Sequence, residues 1–267
     1  MFREGLLPYW WLLYCHSKLL GQGTDIFRNI EDAFALKHGE LHLKPGGVYV
    51  DIGSGSSPVP TLLHQRCRAK TYATEMDRVY LNRQRDYAKA LGLGKGDDFF
   101  TQREDATQLS FADGTVDFLT AVSTIEHIPG DGDTHSMIEF ARVLRPGGRL
   151  VVTVPTDTRY VENQSTFYYH GFERRYDPEA LSRRLFRPDL RPVEQLYMVS
   201  PPEEFVQDFQ RQFRETLRGE NAIELWYKSG WHTQYADVSI LITLALVRLS
   251  PDPAGSFGAC LAFEKHG

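Results

Sequence analysis

The chain is expected to fold as a doubly wound α/β domain around a mostly parallel sheet, and three features of its first half predict this. Short apolar runs recur at Val48–Ile52, Thr71–Glu75, Phe99–Arg103, Val116–Val122 and Arg149–Val154. The segments between them are long enough for crossover helices, which parallel strands require. Sharp breakers mark the boundaries, above all Lys44-Pro-Gly-Gly47 before the first run and the glycine turn after it.

Before the first strand, Leu6–Leu20 is apolar but carries Pro8, His16 and Lys18 and is too short to span a bilayer. It is expected to be an amphipathic helix packing on the domain. The start MFRE has no net positive charge and no small-residue cleavage site follows, so a secretory leader is not expected. Asp25–Lys37 reads as a second helix. After Pro155 the pattern becomes polar and tyrosine-rich, as in a lid inserted after the fifth strand, followed by a helix from Pro178 to Phe186 and a strand at Arg191–Val199. Glu203–Arg218 reads as an amphipathic helix and Cys260–Glu264 as a terminal strand. Ser239–Leu249 fits a buried helix better than a strand, although short apolar runs do not separate the two.

At 267 residues, with 42% hydrophobic and 24% charged residues, the chain suits one globular domain. The net charge of −5 and the absence of lysine between Lys95 and Lys228 argue against nucleic acid as a partner. Cys15, Cys67 and Cys260 are widely spaced and fit neither a disulfide framework nor a zinc site, consistent with a reducing, cytoplasmic setting. The pattern leaves the oligomeric state open.

The chemistry is concentrated at strand ends. Val50-Asp-Ile-Gly-Ser-Gly55 runs from a strand into a turn where glycine lets backbone approach a ligand closely. In a doubly wound sheet that turn lies at the carboxyl end of the first strand, where ligands bind. Glu75 ends the second strand, where an acid can accept hydrogen bonds from ribose hydroxyls, and Asp105 lies on the same rim.

These pieces, with Thr74-Glu-Met-Asp77, Glu104-Asp-Ala106, the segment from Leu109 to Phe118 leading to Ile125-Glu-His-Ile128, and Ala141–Leu150 containing Arg145-Pro-Gly-Gly148, resemble the class I S-adenosylmethionine-dependent methyltransferases of the small-molecule type over roughly Leu43–Pro155. The resemblance implies a Rossmann-like, seven-stranded sheet with an antiparallel last strand. It implies one domain over 1–267: an N-terminal helical cap (1–40), a cofactor-binding core (41–155), a substrate-side insert with helices (156–235) and the C-terminal end of the sheet (236–267).

By the same resemblance, Gly53, Ser54 and Gly55 pack on the methionine part of S-adenosylmethionine, and Asp51 orders the turn and meets the amino group. Glu75 holds the ribose, with Asp77 as an alternative. Met76 flanks the adenine, Asp105 and Ala106 read its amino edge, and Ser123 lies beside the cofactor. Some quinone O-methyltransferases of this group bind a metal through a glutamate three residues before the Glu-His pair. Here that position is Ser123, so no metal is expected.

His127 and His170 are the candidate bases. Tyr168, Tyr169 and Tyr176, in the aromatic run Phe167–Tyr176, are the candidate walls of a small-molecule substrate pocket. Two other readings share the topology: a nicotinamide-dependent oxidoreductase and a non-catalytic cofactor-binding scaffold. Pro58 counts against the first, because it removes an amide from the turn that would cradle a pyrophosphate.

Overall fold

A computed structural model describes residues 5–20, 26–163, 171–200 and 247–267. In chain order the helices are α1 (Leu7–Leu20), α2 (Ile26–His42), α3 (Val59–Cys67), α4 (Arg78–Ala90), α5 (Gly132–Val143) and α6 (Pro178–Leu185). The strands are β1 (Val48–Ile52), β2 (Lys70–Thr74), β3 (Phe99–Gln102), β4 (Val116–Val122), β5 (Leu144–Pro155), β6 (Val161–Asn163), β7 (Glu173–Arg175), β8 (Leu190–Val199), β9 (Arg248–Ser250) and β10 (Ser256–Lys265).

The main sheet runs β3-β2-β1-β4-β5-β10-β8-β9. β1 to β5 are parallel neighbours, and β10 enters antiparallel between β5 and β8. The Rossmann-like expectation therefore holds, but the sheet has eight strands among the described residues rather than seven. The addition is β9, which pairs antiparallel with the edge of β8. It takes up Arg248 and Leu249 from the run expected to be helical. A short apolar run has no period of its own to defend, and the unpaired edge of β8 offers it backbone partners. The rest of that run, and the helix expected at Glu203–Arg218, lie outside the described residues.

Parallel strands buried on both faces must be apolar in both registers, and the side chains sort accordingly. Tyr49, Phe118, Val151, Cys260 and Met198 join α1, α2 and α3 in one core cluster. Val50, Ile52, Leu119, Val152 and Leu261 join α5 and α6 in the other. α1 contributes Leu6, Trp10 and Leu13 to the first cluster and leaves Trp11 outward. None of the described helices is long and apolar enough to cross a membrane.

β5 begins earlier than its apolar run. Leu144 pairs with Val116, then Arg145-Pro-Gly-Gly148 loops out before Arg149 meets Phe118. A Cβ on Gly148 would lie 2.8 Å from the Arg145 carbonyl and 3.1 Å from that of Val116, so only glycine fits this return.

After β5, the antiparallel pair β6–β7 reaches back to the end of β4. Arg174 on β7 is fully buried and donates to the carbonyls of Ile125, at 3.3 Å, and Gly130, at 2.6 Å. It lies 3.3 Å from Asp133, which also accepts from Tyr176 Oη at 2.8 Å and from Arg184 Nε at 2.8 Å. Burial works to raise the Asp133 pKa, but the bonds from Arg184 and the charge of Arg174 hold it below the usual carboxylate range. Tyr176, expected on the substrate wall, is instead fully buried. A buried phenol needs a hydrogen-bond partner, and Asp133 supplies it inside the core.

Asp133→Asn should cost about 3–5 kcal/mol in urea unfolding, because buried Arg174 is left with only the half-exposed carboxylate of Glu162, 3.6 Å away, to balance its charge. Tyr176→Phe, which loses one hydrogen bond and no charge balance, should cost about 1 kcal/mol.

Candidate active site

The turn after β1 is stitched to the strands on either side of it. Gly53 has φ +68° and Gly55 φ +50°, both left-handed. A Cβ on Gly53 would sit 2.4 Å from the Thr124 side chain, whose hydroxyl donates to the Ile52 carbonyl at 3.1 Å. Ser54 N donates to the Thr74 carbonyl at 2.9 Å, and Thr74 Oγ1 donates to the Asp51 carbonyl at 2.8 Å. The ends of β1, β2 and β4 are thus held as one rim.

Asp51 points into the α2 side of the sheet, where it is 2% exposed. Tyr49 Oη and Thr120 Oγ1 are 2.8 Å apart, and Thr120 in turn donates to Asp51 Oδ1. Asp51 Oδ2 is buried and has no partner among the described residues. Burial pushes this carboxyl up to about 6, against the bonds from Thr120 and Ser54 that favour its charge.

Glu75 closes on the same turn. Its Oε2 accepts from Gly55 N at 3.2 Å and its Oε1 from Met76 N at 2.8 Å and Asp77 N at 3.2 Å. Asp77, the alternative to Glu75, has a local structural task. It caps α4 by accepting from Val79 N at 2.6 Å, satisfying a helix N-terminus. Met76 is 45% exposed beside it. Asp105 is exposed and accepts from Thr107 N at 2.8 Å, with Ala106 buried behind it. Glu104, which the motif pattern did not single out, is buried and accepts from Ser110 N at 2.9 Å, so it shapes the loop that carries Asp105.

At the end of β4, Ser123 has φ +43° and its hydroxyl donates to Glu31 Oε1 of α2 at 2.8 Å. That places Ser123 in contact with α2, a neighbour no motif indicated. Glu126 is 2% exposed with Oε2 unpartnered among the described residues, and burial, with the field of Glu31, pushes its pKa well up. His127 Nδ1 lies 2.9 Å from the Phe172 carbonyl, and its Nε2 3.7 Å from Glu126 Oε1. Burial holds the imidazole below its usual pKa. Tyr168, Tyr169 and His170 lie outside the described residues. Among the described residues no group of three His, Cys, Asp or Glu could hold a metal ion.

The structure therefore brings Asp51, Gly53, Ser54, Gly55 and Glu75 into one hydrogen-bonded group. It adds Thr120, Thr124 and Glu31, and Arg28 of α2, whose Nη1 donates to the Val122 carbonyl at 2.9 Å, all of which sequence reasoning missed. Buried polar residues on α2 look like solvated surface until the helix is docked. Gly53→Ala should lower stability by at least about 1 kcal/mol. Gly55→Ala should cost less, because the nearest atom to its Cβ is the Gly53 carbonyl at 3.8 Å. Equal melting temperatures for the two variants would remove the role assigned to Thr124.

Comparison with known proteins gives this rim a family. Residues 50–152 match the family described as "Methyltransferase domain". Methyltransferase GfsG of Streptomyces halstedii is 30% identical over 132 residues, covering 49% of this chain and 46% of that protein. Demethylmenaquinone methyltransferase of Mycobacterium sp. (strain JLS) is 31% identical over 154 residues, covering 54% of this chain and 56% of its own. The chain spans about half the length of these curated relatives. In three dimensions, geranyl diphosphate C-methyltransferase from Streptomyces coelicolor A3(2), solved with S-adenosyl-L-homocysteine, superposes with TM-score 0.57 at 16% identity, over 88% of this chain and 76% of that one. The [4+2]-cyclase SpnF superposes with TM-score 0.55 at 19% identity, over 88% and 81%. The fold alone thus does not name a reaction, but the strand order and the rim agree with the match of residues 50–152 to a methyltransferase domain.

Proposed function

We propose that the chain binds S-adenosylmethionine at this rim and transfers its methyl group to an oxygen, nitrogen or carbon nucleophile of a small molecule. The observation that carries the reading is the buried Oδ2 of Asp51, without a partner among the described residues, beside the Gly53–Gly55 turn. A buried carboxylate oxygen without a donor is costly unless a ligand supplies one, and the ammonium of an amino-acid end does so with opposite charge. Glu75, drawn to the turn by Gly55 N–H, supports a ribose role. Met76 follows Glu75 at the end of β2, and Asp105 and Ala106 follow the end of β3, the side on which the adenine would lie.

The bound sulfonium supplies an electrophilic methyl group, so the protein's task is alignment in a dry pocket. Proton removal from the acceptor falls to His127 among the described residues, with His170 as the candidate on the insert. A carbonyl only accepts, so the Phe172 contact makes Nδ1 the N–H nitrogen of His127 and leaves the lone pair of the neutral ring on Nε2. Relatives are named for acceptors as different as demethylmenaquinone and tocopherol, both of them small molecules.

Calorimetric titration with S-adenosylhomocysteine and NAD tests the reading. Binding of the first alone is expected, and binding of NAD alone would favour the oxidoreductase. A scaffold would bind S-adenosylhomocysteine yet transfer no labelled methyl group to any fraction of a cell extract. Affinity for S-adenosylhomocysteine should weaken as pH falls through about 6, where Asp51 gains a proton, and approach a tenfold loss per further pH unit. Asp51→Asn should bind more weakly at neutral pH and lose this dependence.

A further inference from the structure

In the sheet order β4 stands between β1, which carries the glycine turn, and β5, which leads into the insert. With the cofactor at the ends of β1 and β2 and the acceptor on the insert side, the methyl group changes hands at the end of β4. The single 3-10 turn Ile125–His127 follows that end, and Glu126 is its central residue. Ser123 ties one side of the segment to Glu31 of α2, and His127 ties the other to the Phe172 carbonyl ahead of β7.

Glu126 is a buried acid that the proposed transfer leaves unused. It is 2% exposed, and its Oε2 has no hydrogen-bond partner among the described residues. Its one ion-pair neighbour among them is His127, whose Nε2 stands 3.7 Å from Oε1, too far for a hydrogen bond. Arg28, the cation whose field reaches the carboxyl, lies 3.5 Å from Glu31. Burial and the charges of Glu31 and Glu173 push the carboxyl well above its usual pKa, against its own backbone N–H and Arg28. Burial also keeps His127 below its usual pKa, so both partners favour a neutral pair. A neutral carboxyl differs from a carboxylate in having one O–H to give. Left inside the protein without an acceptor, that O–H carries a cost that a ligand oxygen removes.

We infer that Glu126 keeps its proton and donates a hydrogen bond from Oε2 to a carbonyl oxygen of the methyl acceptor, one conjugated to the atom that is methylated. This deepens the proposed transfer reading and rests on it. A donor aimed at the attacking atom itself would hold back the lone pair that takes the methyl, so the bond belongs on a second oxygen. There it stabilises the anion left when the acceptor gives its proton to a base. The anion then takes the methyl from the sulfonium, which leaves as a thioether, and Glu126 ends with the proton it began with. A site built this way favours enols, phenols and carbon acids that bear a conjugated carbonyl.

Infrared difference spectra of the full chain at neutral pH, wild type against Glu126→Gln, test the proton directly. A protonated carboxyl band that shifts in heavy water is expected, and a carboxylate band in its place would overturn the inference. Labelled methyl transfer from S-adenosylmethionine into a cell extract tests the acceptor. Glu126→Met should lower the initial rate of labelling at least roughly tenfold, the worth of a hydrogen bond to a charged partner. Glu126→Gln, whose amide still has N–H to give, should recover part of that loss. Both variants should bind S-adenosylhomocysteine as wild type does, which reports that they are folded. Equal loss in the two variants would mean that Glu126 acts as an anion, and no loss in Glu126→Met would remove it from the acceptor site. Either result overturns the inference. The labelled product should form an oxime with hydroxylamine, and a product without a carbonyl would overturn the acceptor class. Wild-type protein that binds S-adenosylhomocysteine yet labels nothing would overturn the transfer reading instead, a distinct result, with the infrared band still deciding the proton.

Discussion

A carboxylate carried to the end of a buried strand needs a donor for each oxygen or it gives up its charge. Among the described residues Asp51 has a donor for one oxygen only. Thr120, braced by Tyr49, holds Oδ1, and Oδ2 is left buried beside a turn that two left-handed glycines keep open. The surroundings are built to keep that arrangement. Thr74 and Ser54 bond across from β2, Thr124 packs from β4 where a Gly53 side chain would otherwise stand, and Glu75 reaches back to the Gly55 amide. A binding site in this form stores instability that a complementary ligand relieves, which is why strain and unpaired charge gather at functional positions.

The second half of the site comes from elements far away in the chain. Helix α2 delivers Arg28 and Glu31 to the end of β4, while β7 delivers Arg174 and the Phe172 carbonyl to the segment holding Glu126 and His127. The Asp133 cluster anchors β7 to α5 and α6 through buried ion pairs. The imidazole therefore takes its tautomer from the Phe172 carbonyl, which ties the segment leading into β7 to the core segment after β4.

Parts of this were legible in the chain before any folding. Val48–Ile52 and Val116–Val122 appear as strands with the limits their apolar runs indicated, because both are buried on two faces and bounded by breakers. The looped-out Arg145–Gly148 segment inside β5 was not legible, since a bulge is set by the neighbour it must pair with. Nor was the place of Tyr176, because an aromatic on a polar stretch reads the same whether it lines a pocket or caps a buried aspartate.

By itself the sequence determined the alternation of strands and helices, the glycine turn and the acids at strand ends, since these follow from local periodicity, from conformations only glycine adopts easily and from neighbours a few residues apart. Tertiary structure alone decided which of those acids stay unpaired among the described residues, that Asp77 serves as a helix cap and Tyr176 as a core residue, and that Arg28 and Glu31 of α2 meet the end of β4. Those outcomes depend on which atoms meet across the sheet, on the water removed when they do, and on the charge balance that results. No spacing along the chain encodes them.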